Sequence, residues 1–194
     1  MDDRRPNLAE RFALAAHSNA VLPILLVLEI LETTIVPFPY EAIFVALCLA
    51  APQRTWLFVA VTVAGSAIAG SILYSLGAGF AEPLARYLNV QEAVEAYKST
   101  FSERGGALIF LGGLTPVPSY FVNLVAGATG YPFATFLALF SSSRFIRFAL
   151  LGLLIHLFGE AILAQWSRLP IVVQRTILIL FLAAVTWWSI ANLG

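Results

Sequence analysis

Two proline-containing segments interrupt an otherwise apolar chain, and they constrain its fold more than any other feature. The first is E-T-T-I-V-P-F-P-Y-E at Glu32–Glu41, and the second is T-P-V-P-S-Y at Thr115–Tyr120. Proline lacks a backbone donor and clashes with the preceding helical turn, so each segment should end a helix. The sequence therefore predicts two helical hairpins, whose tips contain Pro37, Pro39, Pro116, Pro118 and Tyr120.

The composition indicates that these hairpins lie in a lipid membrane. The chain has 194 residues, of which 60% are hydrophobic and 11% are charged, and its mean hydropathy is +0.87. Soluble domains are about half apolar and about a quarter charged, so the composition predicts an integral membrane protein. The zero net charge gives no reason to expect a nucleic-acid partner. No metal, cofactor or enzyme motif is present, and the lone Cys48 is expected to be a buried packing residue.

The order of apolar segments predicts an inverted repeat. Unwound backbone at membrane depth normally lines a cavity, so we expect two re-entrant hairpins that face each other from opposite sides of the membrane. A spanning helix follows each hairpin, and a third spanning helix ends the chain. The expected segments are the arms 19–35 and 40–51, the helix 55–79, a surface helix 80–104, the arms 105–114 and 121–129, the helix 133–158, a loop 159–170 and the helix 171–190.

These segments divide the chain into three parts. Residues 1–18 form an N-terminal amphipathic segment, which is either an interfacial helix or an extension of the next helix. Residues 19–159 form the membrane domain, and residues 160–194 form a loop and the C-terminal transmembrane helix. The basic residues are more numerous on one side of this scheme, and their excess predicts a cytoplasmic N-terminus. That side holds Arg4, Arg5, Arg11, Arg54, Arg168 and Arg175, and the other holds Arg86, Lys98 and Arg104.

Seven ionisable residues lie in or beside the apolar segments and are the candidates for chemistry: Glu29, Glu32, Glu41, Arg144, Arg147, His156 and Glu160. A charge at mid-bilayer is costly, so such groups usually face a cavity or pair with one another. Glu32 and Glu41 bracket the first tip and are natural proton carriers; Glu29 shares a helix face with Glu32, and one of two adjacent acids tends to stay protonated. Arg144 and Arg147 also share a face. They can grip a phosphate, or they can neutralise the hairpin acids.

Each of these residues also has a purely structural interpretation. Arg144 and Arg147 can form ion pairs with Glu32 and Glu41 that lock a hairpin to a spanning helix. Glu29 can be solvated at an interface. A second pair, His156 and Glu160, fits an interfacial contact better than a proton relay.

Several of the motifs together resemble the DedA family, also called the SNARE-associated or VTT-domain family, and its YqaA-like branch. The resemblance covers roughly residues 29–159. It rests on the first proline segment, on A-G-S-A-I-A-G-S-I-L-Y at Ala64–Tyr74, and on F-L-G-G-L-T-P-V-P-S-Y-F-V-N-L-V-A-G-A at Phe110–Ala128. It continues through Phe136–Phe148, which contains R-F-I-R-F.

The resemblance implies facing re-entrant hairpins and the movement of lipids across a membrane. The family's acidic residues at the first hairpin correspond to Glu32 and Glu41. Many members carry basic residues around the second Pro-x-Pro, where this chain has Gly113, Ser119 and Tyr120. Arg144 and Arg147 are the candidates to replace them.

Together these observations predict a lipid translocator rather than an enzyme. We expect a flippase- or scramblase-like protein of the bacterial inner membrane, which moves phospholipid or undecaprenyl phosphate. The movement of lipid can be coupled to the movement of protons. Its expected partners are protons and the phosphate headgroups of membrane lipids. A homo-oligomer is also compatible with the sequence. The alternatives are a proton-coupled transporter or antiporter of small ions or solutes, and a membrane scaffold that transports nothing.

Overall fold

The protein is helical throughout the part that the structure describes. A computed structural model describes residues 8–34, 39–88, 91–115 and 119–168. Within these ranges no strand occurs, so the predicted all-helical class is confirmed there. The helices are α1 Leu8–His17, α2 Val21–Thr34, α3 Tyr40–Ala50, α4 Thr55–Leu88, α5 Gln91–Leu114, α6 Tyr120–Ala128 and α7 Phe133–Arg168, and a 3-10 turn at Pro52–Arg54 precedes α4.

Within the described residues, two long apolar segments occur, and they lie largely in α4 and α7. Residues Pro52–Phe80 and Phe133–Gly159 are 29 and 27 residues long, and each is apolar enough to cross a membrane. At a rise of about 1.5 Å per residue, each exceeds the roughly 20 residues that a bilayer requires. Apolar side chains at helical spacing remain exposed on their outer faces: Ile68, Ile72 and Leu76 on α4, and Leu150, Leu154, Leu157 and Phe158 on α7.

The shorter helices pack on these two in a reciprocal pattern. Helix α2 packs against α4, the next long helix along the chain, and α5 packs in the same way against α7. The second arm of each pair packs against the other long helix: α3 packs against α7, and α6 packs against α4. Each long helix therefore packs against one arm from each of the two pairs.

The chain from α2 to the start of α4 leaves one end of the molecule and returns to it. Arg54 donates hydrogen bonds to the carbonyls of Ala16 and Ser18 at 2.9 and 3.0 Å, and to the Asn19 side chain at 2.8 Å. The end of α3 therefore lies beside the start of α2. Pro39 immediately precedes α3, whereas Pro37 lies outside the described residues.

The second pair of arms turns back in the same way. Near the tip, a Cβ on Gly112 would lie 3.2 Å from Val122. At the base, the rings of Phe101 and Tyr131 pack edge to face with centroids 5.7 Å apart. Helix α6 thus runs back along the second half of α5. Both prolines of this tip, Pro116 and Pro118, lie outside the described residues.

Two glycines allow α4 and α6 to cross at very short range. A Cβ on Gly127 would overlap the carbonyl of Tyr74, and a Cβ on Gly77 would overlap the carbonyl of Leu124. Each glycine therefore faces the backbone of the other helix. Such close approach, which small residues permit, is typical of helix pairs in membranes.

Two expectations about where helices begin and end were wrong. The surface helix predicted for residues 80–104 is divided, because α4 continues through Pro83 to Leu88 and α5 begins at Gln91. The loop predicted for residues 159–170 is helical as far as Arg168. Gly159 does not end α7, because it is buried where a Cβ would lie 3.0 Å from Leu49, and good helix formers follow it. The predicted C-terminal helix lies outside the described residues.

Candidate functional site

The first hairpin tip presents one carboxylate to α7. Glu41 occupies the first turn of α3, where the positive end of the helix dipole favours an acidic side chain. Its side chain is 46% exposed and forms an ion pair with Arg147 of α7. The structural interpretation of these residues therefore holds for this one pair.

Arg147 also reaches the second tip. Its Nη1 donates a 2.7 Å hydrogen bond to the carbonyl of Thr115, which directly follows α5, while its Nη2 contacts Glu41. The side chain is only 16% exposed. One guanidinium therefore joins the two chain breaks, although they are 74 residues apart in sequence between Glu41 and Thr115.

Arg144 lies one helical turn before Arg147 and binds the other side of the second tip. Its Nη2 donates a 2.5 Å hydrogen bond to the hydroxyl of Ser119, the residue before α6. The guanidinium stacks over Phe140 at 5.3 Å from the ring centroid. Arg144 is 4% exposed, and its Nε is buried without a hydrogen-bond partner. A buried guanidinium with an unused donor can accept a further anionic or polar ligand.

Glu29 is the most buried acid of the group. It is 0% exposed, its Oε1 accepts a hydrogen bond from Ser66 of α4, and the same oxygen lies 3.3 Å from the hydroxyl of Thr33. Its Oε2 is buried and has no partner. Gly65 permits this contact, since a Cβ there would lie 3.0 Å from Glu29. Of the two interpretations that the sequence allowed for Glu29, its burial contradicts solvation at an interface.

Glu32 is partly exposed and shares a hydrogen-bond donor with Glu29. The hydroxyl of Thr33 lies 3.2 Å from Glu32 Oε2 and 3.3 Å from Glu29 Oε1. Both carboxyls interact electrostatically with Arg147. The hydroxyl of Thr33 thus connects Glu29 with Glu32, and both acids interact with the arginine that is paired with Glu41.

Asn123 is a polar residue that the search for charged groups missed. It lies on α6 one turn after Ser119, it is 0% exposed, and neither atom of its amide has a hydrogen-bond partner. Leaving a buried amide unpaired costs about 1–3 kcal/mol, so such groups usually meet a water or a ligand. The signal in the sequence was the single amide within the apolar run of α6.

The small residues on α4 do more than allow close packing. Thr62, Ser66 and Gly70 are spaced four residues apart on one face of α4, and all three are buried. Thr62 shares a 2.7 Å hydrogen bond with the hydroxyl of Tyr40, and Ser66 donates to Glu29. Of the other candidates, Tyr120 and His156 are exposed, and the side chain of Glu160 is not described.

The charges in the cluster do not cancel when every group is ionised. Three carboxyls (Glu29, Glu32 and Glu41) face two guanidiniums (Arg144 and Arg147), so full ionisation leaves one negative charge. One bound proton or cation would make the cluster neutral. Among the described residues, no group of three or more His, Cys, Asp or Glu is arranged to hold a metal ion.

Comparisons with known proteins identify the family of this chain. The chain is 23% identical over 165 residues to an uncharacterised protein of Haemophilus influenzae, an alignment that covers 84% of this chain and 85% of that relative. No solved structure matches the chain. The VTT domain matches residues 38–159, which include Glu41, Asn123 and both arginines but not Glu29 or Glu32. The chain therefore belongs to the VTT-domain, or DedA, family of membrane proteins.

Proposed function

We propose that the protein moves phosphate-bearing lipids, either phospholipid or undecaprenyl phosphate, between the leaflets of a bacterial inner membrane. The observation that carries the proposal is the contact of Arg147 with both hairpin tips. A group that competes for this guanidinium will loosen one tip from the other. Because the two tips end facing hairpins, their separation opens the centre of the protein.

The phosphate of a lipid headgroup is the ligand that fits this role. Arg144 and Arg147 are three residues apart on one face of α7, a spacing that lets two guanidiniums bind one phosphate. Arg144 has an unused donor, and Arg147 can exchange its half-exposed partner Glu41 for a phosphate oxygen. Protonation of the displaced Glu41 would prevent a build-up of negative charge. Headgroup entry and proton uptake are thereby coupled.

The topology in the membrane is part of the same proposal. Helices α4 and α7 span the bilayer, and each hairpin enters and leaves on its own side. The reciprocal packing of the arms supports this arrangement, because inverted repeats bring broken helices together near the midplane. The excess of basic residues on one side supports a cytoplasmic N-terminus. Members of the VTT-domain family are generally not enzymes, and the protein is proposed to catalyse no chemical reaction.

Lipid movement can be measured with purified full-length protein in liposomes. A chemical reagent quenches the fluorescent phospholipid in the outer leaflet. The fraction of labelled lipid that moves from the inner to the outer leaflet, and so becomes accessible to the reagent, is followed with time. We expect Glu41→Ala and Arg147→Ala to slow this exchange, whereas Glu103→Ala, on an exposed position of α5, should not. Equal exchange by wild type and by Glu41→Ala in folded protein would contradict the mechanism.

A proton-coupled carrier of small ions or solutes is the second candidate, and the burial of the site favours it. Arg144 is 4% exposed and Glu29 is fully buried, so the cluster as it stands admits a small ion more readily than a lipid headgroup. Proton or ion flux into liposomes without lipid exchange would support this candidate over the first.

A further inference from the structure

We propose that Glu29 is a buried proton-binding site, which exchanges its proton with Glu32 through the hydroxyl of Thr33. The inference deepens the proposed function, because it names the group that holds the coupling proton. It also moves that role from the two acids that bracket the first tip to an acid outside the matched VTT domain.

The burial of Glu29 favours its neutral form. The side chain is 0% exposed, and its Oε2 has neither solvent nor a hydrogen-bond partner. Burying an ionised carboxylate that has one oxygen without a hydrogen-bond partner costs far more free energy than burying a neutral carboxyl. Glu41 is different, because it is half exposed and already paired with Arg147. A carboxylate in an ion pair with a guanidinium is held in its charged form.

The hydrogen-bond geometry accounts for where the proton resides. A threonine hydroxyl has one hydrogen to donate, yet Thr33 Oγ1 lies within hydrogen-bonding distance of Glu29 Oε1 and Glu32 Oε2. Both contacts are satisfied when Glu29 donates its carboxyl proton to Thr33 and Thr33 donates to Glu32. Ser66 then donates to the same Glu29 oxygen. Glu29, Thr33 and Glu32 thus form a chain of hydrogen bonds that ends at a partly exposed carboxylate.

Proton transfer along this chain conserves every atom. Glu32 takes a proton from the aqueous side and passes it to Thr33 Oγ1, while the hydroxyl proton of Thr33 moves to ionised Glu29. Glu32 is left ionised, Thr33 is again a neutral hydroxyl, and Glu29 is protonated. The reverse sequence releases the proton.

The ionisable groups around Glu29 set when it gives up the proton. The groups that interact electrostatically with Glu29 are Glu32 on α2, Tyr40 on α3, and Arg144 and Arg147 on α7, and Glu41 on α3 is paired with Arg147. Helix α4 contributes the neutral hydroxyls of Thr62 and Ser66. Arg144 attracts the ionised form of Glu29 and has an unused Nε, so it is the partner that can stabilise Glu29 after the proton leaves.

Infrared spectroscopy tests the site without reference to any substrate. The full-length protein is held in a detergent that lacks ester carbonyls, and the C=O stretch of protonated carboxyls is recorded against pH. We expect a band at neutral pH that is lost in alkali, absent from Glu29→Gln and retained in Glu103→Gln. If Glu29→Gln does not fold, Glu29→Asp should shift the band instead. The absence of any band that depends on Glu29 would overturn the proposal.

A pH jump tests the relay. Thr33→Val removes the hydroxyl and keeps the shape, so the Glu29 band should decay about tenfold or more slowly after a rapid change of pH. Thr34→Val is the matched control, because the Thr34 hydroxyl bonds only to its own helix at Ile30, at 2.6 Å. Equal decay in Thr33→Val and wild type would exclude the relay. Failure of lipid exchange in liposomes would leave these spectra unchanged, so the two proposals can fail separately.

Discussion

The contact of Glu41 with Arg147 can be tested as the link between α3 and α7. Glu41→Gln removes the negative charge and keeps the shape, and Arg147→Met removes the guanidinium and keeps most of the apolar stem. The two single variants and the double variant form a thermodynamic cycle. Their non-additivity measures the interaction itself, because effects on unrelated contacts cancel.

The burial of the two side chains sets the expected size. Two unit charges about 4 Å apart attract by roughly 4 kcal/mol at the effective dielectric of a protein surface, before desolvation is subtracted. Exposed pairs retain about 0.2–1 kcal/mol, whereas breaking a buried pair costs about 3–5 kcal/mol. Arg147 is 16% exposed and Glu41 is 46% exposed, which places this pair between the two classes. We expect a coupling free energy of about 1.5 kcal/mol.

Arg147→Met should cost more than Glu41→Gln, since it also removes the hydrogen bond to the carbonyl of Thr115. A hydrogen bond from a charged donor contributes about 1.5–3 kcal/mol, so the single arginine variant should lose about 3 kcal/mol in total. The free energy of unfolding is measured in mixed micelles by titration with a denaturing detergent. Pairing Arg147→Met with Glu103→Gln gives the control cycle, which should be additive. Coupling below about 0.5 kcal/mol between Glu41 and Arg147 would refute this reasoning.

Other substitutions test the packing and the buried polar groups by the same unfolding measurement. Gly127→Ala should destabilise the fold by about 2 kcal/mol, because the new Cβ would overlap the carbonyl of Tyr74. A Cβ at Gly79 would meet no atom within 4 Å, so Gly79→Ala should stabilise the fold by up to about 1 kcal/mol through the higher helix propensity of alanine. Asn123→Leu should stabilise the fold by about 1 kcal/mol and yet slow lipid exchange; a loss of stability would instead indicate a structural amide. Arg54→Met should cost about 2 kcal/mol and speed proteolysis near the end of α1, and unchanged cleavage would contradict the role of its three hydrogen bonds.

The sequence predicted the helical class and the positions of the chain breaks because both depend on local chemistry. Apolar runs of membrane-spanning length indicated α4 and α7, and Pro39 directly precedes α3, where the chain changes direction. The ends of helices in polar sequence were harder to predict. Residues 159–168 continue α7, because glycine there serves packing rather than termination.

The candidate site was predictable only in part, for a related reason. Charge in an apolar segment identified the acids and arginines, since such charges are costly wherever the helices pack. The same criterion overlooked Asn123 and Thr33, which carry no charge. It identified Glu29 but left its solvation open, because its burial depends on the space that Gly65 leaves on α4.

The sequence alone determined which groups had to avoid lipid, whereas the tertiary structure decided which of them meet. Proline, glycine and charge act on the nearest few residues, so their spacing can be read along the chain. The bridge that Arg147 makes between Glu41 and Thr115 depends on how α3 and α5 pack against α7. That packing brings together residues far apart in sequence, and no local pattern specifies it.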